Sequence, residues 1–145
     1  MTKATEAARE TWLIVASLIG QGAVWVAFVL QYGYSRGGDG ACFRAGAPDT
    51  AVVLGDTPQV TADVTFLPIG RACVYEAKGG GTVTVQTGED ATALAIIGTA
   101  VCLVAAIAAL VRWKHLTAMQ RLLPGVALFL LTLGWTVLWL HAAVR

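Results

Sequence analysis

Charge is what this sequence has least of. Only 13% of its 145 residues are Asp, Glu, Lys or Arg, against roughly a quarter in a soluble domain. So few charges cannot clothe a water-facing surface of this size, and a mean hydropathy of +0.68 points the same way. The ten basic residues are scattered and the net charge is +1. That excludes the basic stripe on which nucleic-acid binding depends, and no nucleic-acid partner is expected. Two histidines, His115 and His141, and three cysteines without a C-x-x-C spacing offer no metal or redox set. No nucleophile, base and polar group converge in the pattern as an enzyme site requires. The chain is expected to be non-enzymatic and to carry no cofactor.

Three stretches contain no charged residue at all: Thr11–Tyr34, Ala91–Val111 and Leu122–Leu140. Each has close to 20 residues, and a helix of that length rises about 30 Å, the thickness of the hydrocarbon core. A soluble helix of this size would carry charges on one face. The pattern therefore predicts an integral membrane, mainly α protein with three transmembrane helices. The first apolar stretch is longer than the ~7–15 residues of a leader's apolar region. Asp39 also stands where a lipoprotein signal ending in Cys42 needs an aliphatic residue. The first stretch is read as a retained anchor.

Orientation follows from the connector of residues 112–121, which holds Arg112, Lys114 and Arg121 and no acid. Basic residues in a short loop mark the cytoplasmic side. Residues 1–10 are then a cytoplasmic segment and residues 141–145 lie outside. The loop of residues 35–90, with four basic and seven acidic residues, becomes extracytoplasmic. Trp12 and Trp113 fall at the inner ends of spans, and Tyr32, Tyr34 and Trp139 at outer ends, the levels that amphipathic rings prefer. Trp25 and Trp135 lie deeper and are expected between helices. The expected location is the plasma (inner) membrane, with a bacterial source suited by seven Arg against three Lys and by the richness in Ala, Gly and Val.

The outer loop reads as a folded unit. Val60, Ala62, Val64 and Phe66 alternate onto one face, and Arg71–Ala77 and Thr82–Thr87 are β-rich runs separated by Lys78 and three glycines. That spacing predicts a hairpin. Ala51–Leu54 is a candidate fourth strand. So small an antiparallel sheet needs a staple, and Cys42 with Cys73, both in the oxidising compartment, is the expected disulfide. Closing about 30 residues would stabilise the unit by roughly 3–4 kcal/mol in the chain-entropy model. The ten residues FLPIGRACVY, from Phe66 to Tyr75, precede a glycine turn and Thr-Val-Thr-Val. This string resembles the outer loops of small membrane proteins of high-GC actinobacteria, and the likeness implies no activity.

Within the spans the candidate interaction residues are small. Gly98, Cys102, Ala105 and Ala109 form a stripe at helical spacing, and Ala16 and Gly20 stand in small-x-x-x-small register. Helices in lipid associate by close packing, so such stripes mark contact faces, either within the chain or toward another subunit. No Asp, Glu, Lys or Arg lies at depth, where an ion or proton relay would normally show an ionisable group. Gln21 is expected to hydrogen-bond across to a neighbouring helix. Thr99, Thr132 and Thr136 are expected to satisfy their hydroxyls on the preceding turn. Cys102 is expected to be a packing residue out of reach of the loop thiols, and neither histidine is assigned a site. The leading functional expectation is an accessory or interaction subunit of a larger membrane complex, in contact with lipid and with a membrane-protein partner or a second copy. The alternative is an oligomeric channel, holin-like pore or small transporter subunit.

Overall fold

The computed structural model describes residues 2–54, 57–112, 114 and 116–144. Trp113 and His115, named above, lie outside them. Nine elements follow in order: α1 (Thr2–Ser35), α2 (Gly38–Ala45), β1 (Val53–Leu54), β2 (Thr57–Pro58), β3 (Val60–Thr65), β4 (Gly70–Glu76), β5 (Thr82–Thr87), α3 (Glu89–Val111) and α4 (Ala118–Ala143). Three helices are long and apolar enough to cross a membrane, over Ala8–Ser35, Glu89–Val111 and Ala118–Ala143.

The helices overrun the charge-free stretches, because local chemistry rather than hydropathy sets their ends. α1 begins at Thr2, since Ala, Glu, Lys and Arg before Thr11 are good helix formers. α3 starts with Glu89 and Asp90 in its first turn, where carboxylates face the positive end of the helix dipole. α4 opens on a capping box. Gln120 Oε1 accepts the Thr117 backbone N–H at 3.0 Å, and Thr117 Oγ1 accepts the Gln120 N–H at 3.4 Å, so two orphan donors of the first turn are satisfied. Pro124 lies inside α4, one turn beyond that box.

The chain divides into two compact units, Met1–Phe28 with Ala93–Val137, and Val29–Thr92 with Leu138–Arg145. In the second, β3, β4 and β5 form an antiparallel sheet in that order. Register places Val60 opposite Tyr75, Ala62 opposite Cys73 and Val64 opposite Arg71, so the alternating residues share the face that carries the disulfide. The expected fourth strand does not extend this sheet. Val53–Leu54 pairs instead with Thr57–Pro58, and Ala51 makes only an isolated bridge to Ala77. The two short strands are hairpin partners, so they satisfy each other rather than the sheet edge.

α2 lies in the outer loop of residues 35–90, where no helix is expected from the sequence. It covers the free edge of β3: Asp39 Oδ1 accepts the Ala62 N–H at 2.8 Å, closing off a backbone donor that would otherwise invite another strand. Cys42 and Cys73, separated by 31 positions, form the disulfide with Cα atoms 5.7 Å apart. Around it Cys42, Ala51, Cys73 and Tyr75 make a buried cluster, flanked by Ala47, Val60 and Ala62. Tyr75 donates its buried hydroxyl to the Cys42 carbonyl at 3.0 Å and reaches that of Gly46 at 3.3 Å. This one ring seals α2 to the sheet while keeping its polar end paired.

Candidate functional site

The small residues singled out above come together in the first unit. A Cβ added at Gly20 would lie 2.5 Å from the Gly98 carbonyl oxygen and 2.6 Å from the Cys102 nitrogen. One added at Gly98 would meet Ala23 Cβ and the Gly20 oxygen, each at 2.6 Å. Two backbones this close leave room only for glycine, the close approach that drives helix pairing in lipid. Cys102, Ala105 and Ala109 are buried along the same stripe of α3. An open apolar groove of about 390 Å³, bordered by Leu13, Ala16, Val101, Val104 and Ala105, runs beside it.

The hydroxyls of α3 and α4 behave as the spacing predicts. Thr99 donates to the Ala95 carbonyl at 2.7 Å, Thr132 to that of Phe129 at 2.8 Å, and Thr136 to that of Thr132 at 2.9 Å. Thr99 does more than that, since its Oγ1 also accepts the Trp135 indole N–H at 2.9 Å. That bond links α3 to α4 and gives the half-buried indole a partner for its ring nitrogen. Trp25 lies close to Gly134, where an added Cβ would come within 3.6 Å of the indole nitrogen.

Gln21 Oε1 is buried and has no hydrogen-bond partner.

The second unit holds a polar network that the sequence reading left unassigned. Gln31, fully buried, donates from Nε2 to the Thr65 carbonyl at 3.0 Å. Arg71, 8% exposed, donates from Nη1 to the Tyr34 carbonyl at 2.6 Å. A guanidinium at the last turn of α1 pairs an orphan carbonyl and meets the negative end of the helix dipole. The Ile69 N–H is held by Thr92 Oγ1 at 2.7 Å. Gln86 Nε2 donates to Thr65 Oγ1, which itself donates to the Pro68 carbonyl. Sheet, α1 and α3 are thus tied together at their junction by backbone-directed bonds. One signal for this was available: Arg71, Cys73 and Tyr75 alternate, which puts the arginine on the inner face.

His141 belongs to the same region. Its Nε2 lies 3.1 Å from Ser35 Oγ, and its ring centroid is 5.9 Å from that of Tyr32. Ser35 donates its own proton to the Tyr32 carbonyl at 2.9 Å, so the imidazole N–H is the donor in the Ser–His bond. A nucleophilic serine needs the opposite arrangement, with its proton on the imidazole. Arg36 stacks over Tyr32 at 5.5 Å. Among the described residues no group of three or more His, Cys, Asp or Glu comes within metal-binding reach.

Of the aromatic residues placed at span ends, Trp12 (70%), Trp139 (54%) and Tyr32 (44%) are exposed, and Tyr34 is half-buried. Rings turned outward at helix ends suit a headgroup layer. No family model matches the chain, and no curated protein or solved structure is significantly similar to it.

Proposed function

We propose that this is a non-enzymatic membrane protein that crosses the plasma membrane three times and presents a stapled β unit on the extracytoplasmic side. Its amino terminus is cytoplasmic, its carboxyl terminus outside, and its role is that of an accessory or interaction subunit. The partner is a membrane protein or a second copy of the chain. The observation that carries this reading is the junction network: Gln31 to Thr65, Arg71 to Tyr34 and Thr92 to Ile69. A loop merely connecting two spans needs no such fastening. A surface that must be offered to a partner in one orientation gains from it, because ordering before contact lowers the entropy lost on binding.

The test is gentle crosslinking in native membranes followed by purification in mild detergent. A discrete crosslinked species containing this chain is the expected result, and a strictly lone monomer would overturn the reading. Orientation is tested separately with an impermeant thiol reagent. A cysteine placed at Gly79 should react in intact cells, and one placed at Ala118 should not.

A second reading is an oligomeric channel, holin-like pore or transporter subunit, favoured by the unpartnered Gln21 Oε1. A buried carbonyl without a donor in an apolar span is costly, and a neighbouring copy would supply one. Solute flux in reconstituted vesicles, abolished by Gln21→Leu, would select that reading over the first.

A further inference from the structure

We infer that the β3–β4 turn is a lipid contact, made through Phe66, Leu67 and Pro68, that sinks to the boundary between headgroups and acyl chains. The inference rests on the transmembrane reading above. It starts from depth. Ala91–Val111 is the charge-free part of α3, and its 21 residues rise about 32 Å, the thickness of the hydrocarbon core. Thr92 therefore stands at the outer edge of that core. The Ile69 N–H is bonded to Thr92 Oγ1 at 2.7 Å, so the turn lies at the same level. The other side agrees, since Thr65 is held by Gln31, four residues before the end of α1.

Composition matches the depth. Leu67 is 56% exposed, Pro68 beside it is exposed and Phe66 half-buried. The opposite tip of the sheet is Lys78-Gly79-Gly80-Gly81, exposed throughout. It lies about 20 Å away along seven-residue β4, at roughly 3.4 Å per residue. The sheet thus has an apolar tip bonded to Thr92 and a polar tip at the other end of β4. An exposed leucine in water is unremarkable taken alone. Here, however, it adjoins Phe66, which borders a groove of about 240 Å³ together with Val64, Trp139, Ala142 and Ala143. A tryptophan at a span end is a usual interfacial anchor. The occupant of this surface is outer-leaflet lipid, and the sheet is fastened to the bilayer at one end as well as to the helices.

The test uses the full chain in vesicles of phosphatidylcholine and phosphatidylglycerol, in a Cys102→Ala background. An environment-sensitive fluorophore is attached to Leu67→Cys, Gly79→Cys or Val101→Cys, and a non-reducing gel verifies the native disulfide. Nitroxide lipids quench either near the headgroup or at mid-chain. The label at 67 is expected to lose most of its emission to the shallow quencher. The label at 79 should keep its emission with both, and that at 101 should lose it to the deep one. If position 101 is quenched from depth while 67 behaves like 79, the inference is overturned and the transmembrane reading survives. If 101 is untouched by the deep quencher, the transmembrane reading itself falls, and the inference with it.

Discussion

Gly20 offers the sharpest test of the packing argument. In Gly20→Ala the new Cβ would stand 2.5 Å from the Gly98 carbonyl oxygen and 2.6 Å from the Cys102 nitrogen. Ordinary contact begins near 3.4 Å, so α1 and α3 must part by about 0.9 Å at this level, and a gap of that size forfeits a quarter to a half of each dispersion contact. Both obstructing atoms are backbone, which cannot swing aside as a side chain would. The upper part of the usual overpacking range, about 2–3 kcal/mol, is therefore expected. Alanine's better helix propensity returns up to ~1 kcal/mol, leaving a net loss of about 1–2 kcal/mol. Gly22→Ala is the matched control, because a Cβ there meets nothing within 4 Å and only the propensity gain remains. Thermal unfolding in mild detergent, followed by circular dichroism, should put Gly20→Ala several degrees below wild type and Gly22→Ala at or above it. The two variants melting together would refute the close-approach reasoning. Gly98→Ala should resemble Gly20→Ala, and the double variant should lose less than the sum, since helices already parted have less contact left to lose.

Three further outcomes follow from the second unit and the α3–α4 bond. Replacing Cys42 and Cys73 by serine removes the closure of a segment with a separation of 31 and should cost roughly 3–4 kcal/mol. Limited proteolysis should then cut residues 35–90 well before the helices. Tyr75→Phe leaves the Cys42 carbonyl without its buried donor and should cost about 1–2 kcal/mol, read as a lowered denaturant midpoint with the disulfide intact. Thr99→Val keeps the shape but strips the acceptor from the Trp135 indole. The expected loss is about 0.6–1.7 kcal/mol, and a change in tryptophan emission should accompany it.

The elements differ in how far they could be read before any coordinates. β3 and β5 were legible to within a residue because alternation and a glycine turn are local. The threonine hydroxyls of α3 and α4 were legible for a similar reason, since a hydroxyl in an apolar helix has its own backbone as the nearest acceptor. α2 was hidden, because glycines at 37, 38, 40 and 46 mimic a loop, and what holds the helix is a disulfide and a tyrosine 33 positions away. The fourth strand misled because β-propensity at Val53 and Leu54 names no partner.

The sequence by itself determined which stretches are apolar enough to cross a membrane. Three charge-free stretches, a basic connector and two cysteines in one loop follow from residue chemistry read along a line. Only the tertiary structure decided which groups satisfy one another across it. Gly20 meets Gly98, Arg71 reaches the last turn of α1, and Thr92 holds the turn before β4, although those partners lie 78, 37 and 23 positions apart. Hydropathy is a sum over neighbours in sequence. A hydrogen bond or a backbone contact depends on direction and on distances of a few ångströms, and folding alone sets those.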